Sequence, residues 1–210
     1  MKWMDVTVPL SEGTAVWPGD TPVKIIPAAR LARGDEYNIS SMTLCLHAGT
    51  HIDAPWHVSS KGVRVSDLDL NLFIGQCRLV DLSALPHRIA REQIADKIPD
   101  GAERLVLKLM SDAEYSDDSR LMSRYLQADA VACLLEKGVR LLGCDVYSAG
   151  GAGSECGPAH RMALDKGCIL LERLDLRGIP EGQYELICLP LKTGLDGAPA
   201  RVLLGTGEQD

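Results

Sequence analysis

The stretch HAGTHIDAPWH, residues 47–57, holds three of the chain's five histidines and an aspartate within eleven positions. Gly49, the β-branched Thr50 and Pro55 oppose an ordinary helix there, and Ala54, which precedes proline, is biased toward extended backbone. His47, His51, Asp53 and His57 are all odd-numbered, so in an extended chain they share one face, with Gly49 permitting a bend. A kinked, extended segment that gathers three imidazoles and a carboxylate on one side is therefore the expectation. Imidazole nitrogens and carboxylate oxygens are the donors that Zn²⁺ and Mn²⁺ accept. A satisfied polar cluster is the alternative. The H-E-x-x-H helix of a zinc protease is absent, because Ala48 follows His47.

The 210 residues fit one domain, 1–210, since no repeat or linker-like tract divides them. With 46% hydrophobic and 24% charged residues there is apolar material for a core without disulfide staples. The seven cysteines are odd in number, widely spaced and mostly in apolar runs, which reads as reduced, buried thiols. A net charge of −7 with singly scattered cations argues against nucleic acid as a partner. No run approaches the length of a membrane span, and MKWMDVTVPL lacks the apolar core of a signal peptide, so a cytoplasmic protein is expected.

Strand patterns run over 3–10, 23–31, 37–47 and 75–83, with the proline-rich turn WPGDTP at 17–22. The second half alternates: a helix over 91–98, a strand over 103–109, a helix or helix pair over 119–138 and a buried strand over 139–145. A helix over 158–167 with Pro158 in its first turn follows, then strands over 169–176, 183–191 and 200–204. Strands first, then strand–helix alternation, predict an α/β domain with a mixed sheet.

A metal site needs ligands from elsewhere in the chain, and only His87 and His160 remain among the histidines. His87 sits in a polar-looking loop. His160 opens a helix after a glycine-rich stretch, and Glu172 lies inside the apolar strand ILLERL. A carboxylate in such a strand needs a partner: a salt bridge to Arg173 or Arg161 and a metal ion serve equally well. Cys156, in polar and glycine-rich surroundings, is a candidate nucleophile or ligand, with an unremarkable loop thiol as the alternative. The stretch GGAGSECG lacks the Gly-Lys-Ser/Thr of a phosphate-binding loop.

The pattern H-x-G-T-H-x-D-x-P-x-H resembles the signature of the metal-dependent cyclase/hydrolase family, best known from the bacterial kynurenine formamidases (arylformamidases). WPGDTP, GQCRLVDLS and the C-terminal IPEGQYELICLPLKTGLDGAPARVLL are similar to further stretches of that family, so the likeness covers most of the chain. It implies a single domain with a strongly curved, barrel-like mixed sheet flanked by helices, and two divalent ions per subunit, zinc or else manganese. His47, His51 and Asp53 would hold one ion, Asp53 would reach the second, and His160 and Glu172 would complete the pair. His57 would donate and accept protons, and Trp17 would line the substrate pocket, with Trp56 or Phe73 as further flat faces. The implied reaction is hydrolysis of N-formyl-L-kynurenine to L-kynurenine and formate, a step of tryptophan degradation, in a homodimer. Residues 145–160 and Trp56 depart from the formamidase pattern where substrate would sit. This keeps open another small aromatic amide, an isatin-like lactam or an ester, and, as a third reading, a metal-binding module without catalysis.

Overall fold

The computed structural model describes residues 2–116, 121–151 and 156–207. Twelve strands are found among them: β1 Lys2–Asp5, β2 Lys24–Ala29, β3 Ile39–Thr43, β4 His51–Asp53, β5 Ile74–Asp81, β6 Arg88–Ile89, β7 Arg104–Lys108, β8 Tyr125–Leu126, β9 Leu141–Cys144, β10 Ile169–Glu172, β11 Gly182–Pro190 and β12 Gly197–Thr206. Three α-helices accompany them: α1 Arg91–Ile94, α2 Ala128–Glu136 and α3 Cys156–Asp165.

The main sheet runs β1-β12-β11-β5-β7-β9-β10-β4, and a further pairing of β4 with β12 closes seven of these strands into a ring. Strands β5, β7, β9 and β10 are mutually parallel, whereas β11, β12 and β4 close the ring with antiparallel ladders. The ten-residue β12 makes the closure possible. One of its edges pairs with β11; the other holds β4 along residues 197–199 and β1 along 203–206.

Period-two alternation sorts the side chains. Ile52, Leu79, Val106, Leu141, Leu171, Leu186, Val202 and Leu204 fill the barrel together with Phe73. Val80, Leu105, Leu107, Leu142 and Leu170, alternate residues of the same parallel strands, face outward into a second core with residues of α1, α2 and α3. Burying a side chain such as Leu105 contributes about 1.5–3 kcal/mol, so both faces of each parallel strand stabilise the fold. The sequence pattern of unbroken apolar strands in the second half follows from this.

Most of the expected strands and helices are present, many with shorter ends, and the curved mixed sheet is as the resemblance implied. Three elements differ from the sequence reading. Of the helix or helix pair expected over 119–138 only Ala128–Glu136 is α-helix; Tyr125–Leu126 is β8, drawn into a parallel pairing with β6 by Tyr125 N–H to the His87 carbonyl and Gln127 N–H to the Ile89 carbonyl, and residues 119–120 lie outside the described residues. The strand expected over 37–47 ends at Thr43, and with β2 it forms a separate two-stranded ribbon whose residues are almost all exposed. The strand expected over 200–204 starts at Gly197, because Pro199 and Gly197, which look like turn residues, are held in the ladder opposite His51 and Asp53. No helix among the described residues is long and apolar enough to cross a membrane.

Candidate active site

The histidine stretch is built from three pieces rather than one extended segment. A turn in which Ala48 N–H donates to the Cys45 carbonyl carries His47; β4 carries His51 and Asp53; a single 3-10 turn at Pro55–His57 carries His57. Only His51 and Asp53 share a strand face. His47 reaches the same side because Gly49 takes a φ of 65°, which reverses the chain between them. Thr50, buried, accepts from Val8 N–H and donates to the Arg173 carbonyl, which ties the bend to the end of β10.

Register then assembles the cluster. Opposite β4, Glu172 of β10 lies beside His51 and Leu170 beside Asp53; on the other edge, Gly197 lies beside Asp53. Ile52, Leu171 and Ala198 point into the barrel, so His51, Asp53 and Glu172 point outward, beneath α3 and its His160. Gly197 has to be a glycine: a β-carbon there would stand 2.7 Å from the His47 ring.

Asp53 is 1% exposed and Glu172 2%. His47 Nδ1 lies 2.7 Å from Asp53 Oδ1, His51 Nε2 3.4 Å from the same oxygen, and His160 Nε2 3.2 Å from Asp53 Oδ2 and 3.4 Å from Glu172 Oε1. The ion pair to Arg173 or Arg161 that would otherwise explain Glu172 is not formed. Glu172 Oε1 accepts from Ala149 N–H at 2.8 Å, the guanidinium of Arg173 lies over the Tyr147 ring at 4.6 Å, and Arg161 donates to the Val58 carbonyl.

The tautomer of His51 follows from its partner. Its Nδ1 is 2.9 Å from the Gly49 carbonyl, which can only accept, so Nδ1 carries a proton and the ring is held with Nε2 turned to the carboxylates. Burial opposes a charge on His47, but hydrogen bonds and attraction from Asp53 and then Asp196 prevail and raise it to about 9. Burial likewise opposes a charge on Asp53, and hydrogen bonds from His160, His47 and His51 hold it well below the usual carboxylate range. Glu172 is raised, with burial the leading cause.

Among the described residues three trios have their donor atoms within 4.8 Å of one another: His47–His51–Asp53 and Asp53–His160–Glu172, which hold the buried acids, and the more exposed His47–His57–Asp196. The first two share Asp53. Nitrogen and oxygen donors of this kind, two of them deeply buried carboxylates whose ionic partners among the described residues are all histidines, fit a divalent cation. All five expected ligands therefore meet in one place.

The cluster floors a cavity of about 510 Å³ that Trp17, Asp20, His57, Tyr147 and Arg161 also line. His57 stands apart from the buried acids, with its side chain 35% exposed and its ring centroid 4.4 Å from that of His47. Trp17 and Asp20 sit at the two ends of the turn in WPGDTP, closed by Asp20 N–H to the Trp17 carbonyl at 3.0 Å. The other aromatic candidates are elsewhere: Trp56 lies under the Arg64 guanidinium and is not on the cavity wall, and Phe73 is wholly buried in the barrel. His87 is in none of these trios; its carbonyl accepts from Tyr125 N–H. Burial pushes the Cys45 thiol, also on the wall, above its ordinary value. Residues 152–155 and the side chain of Cys156 lie outside the described residues, and with them the nucleophile, thiol-ligand and phosphate-loop readings.

Sequence reasoning missed Asp196. Its Oδ2 is 2.8 Å from His47 Nε2 and 3.5 Å from His57 Nδ1, so it stands behind an expected ligand and beside the expected proton carrier at once. The only signal was its place in the C-terminal stretch LDGAPARVLL.

The closed mixed barrel is shared with solved structures described as metal-dependent hydrolases. The predicted metal-dependent hydrolase from Bacillus stearothermophilus superposes with a TM-score of 0.78 at 30% identity over 97% of both chains. Isatin hydrolase A from Labrenzia aggregata has the same fold, with a TM-score of 0.80 at 21% identity over 98% of this chain and 94% of that one. In sequence, the kynurenine formamidase of Bacillus mycoides is 35% identical over 97% of both chains. Residues 4–150 match the family described as putative cyclase, and the chain belongs to that family. It is a hydrolase.

Proposed function

We propose that this protein hydrolyses N-formyl-L-kynurenine to L-kynurenine and formate, with two divalent ions, zinc first and manganese second, held by His47, His51, Asp53, His160 and Glu172. The observation that carries the reading is the sharing of Asp53 by two ligand trios on the floor of a cavity that His57 and Trp17 line. Full-length kinship with a formamidase supports an amide as the bond that is cut.

Bound divalent ions would supply Lewis acidity to the amide carbonyl and to water at neutral pH. The remaining work falls to side chains. His57, exposed to the cavity and outside the two trios that share Asp53, passes a proton to the departing arylamine nitrogen, a role that contributes about 10²–10⁴-fold. Asp196 orients the His57 and His47 rings. Trp17 offers an aromatic face to the substrate ring, and the apolar flank of the cavity excludes water from it. The family's pairing of subunits leads us to propose a homodimer, for which the β2–β3 ribbon, with Ile26, Ile39 and Met42 exposed, is the candidate face. The six described cysteines are free thiols, which supports a cytoplasmic protein.

The test is turnover of N-formyl-L-kynurenine by zinc- or manganese-loaded protein, wild type against His57→Ala, with metal content assayed in both. We expect His57→Ala to lower kcat by about 10²–10⁴-fold while bound metal stays constant. Metal-replete wild type that leaves the formamide intact and opens an isatin-like lactam would overturn the assignment.

A further inference from the structure

The cavity wall carries a charge that the reaction itself does not need. Of the four acids on the lining, Asp53 and Glu172 are those proposed above to hold the ions, and Asp20 and Asp196 stand beside them. Arg161 is the sole Lys or Arg on that wall among the described residues. It follows His160 on α3, and Gly157, His160 and Arg161 fall at i, i+3 and i+4, so all three face the cavity from one side of the helix. Its Nη1 donates to the Val58 carbonyl at 3.0 Å, which anchors the guanidinium beside His57. Among the described residues no carboxylate lies within ion-pair distance of it, although acidic groups surround the site. An exposed arginine of this kind, held by one nitrogen and with further N–H donors to offer, has the fork geometry that receives a carboxylate.

We propose that Arg161 is a specificity-determining residue that binds a carboxylate on the substrate, so that the cavity selects an aromatic amide bearing an acid group over a neutral one. This rests on the hydrolase reading above and narrows it, because formylkynurenine carries an α-carboxylate and isatin carries none. A fixed cation away from the reacting bond orients an acid group on the substrate, and Arg161 is placed one residue beyond His160 on α3. Trp17 takes the ring and Arg161 the acid. The two contacts fix which end of the molecule lies over Asp53.

The experiment pairs two substrates with the same scissile bond: N-formyl-L-kynurenine and 2′-formamidoacetophenone, which keeps the aryl ketone and lacks the amino-acid end. Wild type is compared with Arg161→Ala and Arg161→Lys. Arg161→Ala should lower kcat/KM for formylkynurenine by about tenfold to a hundredfold, through KM, and leave the neutral substrate within about twofold. Arg161→Lys, which keeps the charge and loses the fork, should recover part of the loss. Equal losses on both substrates would mean that Arg161 only anchors the 57–58 turn, and would overturn the proposal. Binding is measured in parallel by quenching of tryptophan emission with L-kynurenine and with 2-aminoacetophenone, and needs no turnover. If neither formamide is hydrolysed, the formamidase reading falls alone. A wild-type preference for kynurenine that Arg161→Ala abolishes would still support the carboxylate subsite, and no preference in the wild type would overturn it.

Discussion

Two carboxylates, Asp53 on β4 and Asp145 after β9, are buried to the same degree, 1% and 0% exposed, yet they do different work. Asp145 accepts from the backbone N–H groups of Leu109 and Met110 and from the Tyr115 hydroxyl, which itself accepts from Leu176 N–H. Backbone donors cannot leave, so Asp145 is a rivet between the ends of β7, β9 and β10. Burial outweighs those donors and raises it to about 6. Asp53 has imidazoles for partners, and they hold it well below the usual range. Side-chain partners can turn toward a cation, and they sit on a cavity floor. Burial alone thus says nothing about role. The chemistry and the freedom of the partners decide it.

The largest effect should come from Asp53→Asn, which removes the carboxylate that two of the trios share. Loss of an outer-shell partner of a metal ligand costs about 10–100-fold; loss of this ligand should exceed that in kcat/KM and empty the site, as read by elemental analysis. Retention of full metal and activity would erase the distinction drawn between the two acids. Next is Asp196→Asn, which leaves the fold unchanged and should weaken metal affinity by about 10–100-fold, measured by competition with a chelating dye. If affinity holds while kcat falls, Asp196 serves His57 rather than His47.

The smallest effect belongs to the rivet. Tyr115→Phe removes one donor from Asp145 and should cost about 1–3 kcal/mol in denaturant unfolding with kcat/KM unchanged. A carbon-13 titration of Asp145 should show a midpoint of about 6, and a higher one in Tyr115→Phe. The sign is definite. Between about pH 4 and about 6 the native protein holds a proton here that the unfolded chain has released, so this group's contribution to stability falls as pH rises through that window. A midpoint near 4 would place Asp145 in an ordinary polar setting and remove the contrast with Asp53.

Much of the site was legible before any fold was known. The donor types and spacing in HAGTHIDAPWH point to metal on their own, and the apolar run around Glu172 demands a partner for its carboxylate. The family likeness supplied the division of labour that local chemistry left open, above all for Glu172, where salt bridge and metal had equal standing. Trp17 was legible because it sits in a turn, where an aromatic ring has less reason to be core. Trp56 was misleading: adjacency to His57 in the chain placed it near the site, but a 3-10 turn rotates successive side chains by about 120°, and its ring went to Arg64 instead.

What the sequence determined by itself is local: which residues carry ligand atoms, where glycine and proline bend the backbone, and which strands have two apolar faces. These are properties of short windows and of side-chain chemistry. Tertiary structure alone decided that β12 reaches forward to Gly197 and closes the barrel on β4, since Asp196 and His47 are 149 positions apart and meet only through that pairing. It also decided that Arg161 stands on the cavity wall. Ring closure is a long-range register, set by the sum of many backbone hydrogen bonds and a filled interior, and no short window contains it.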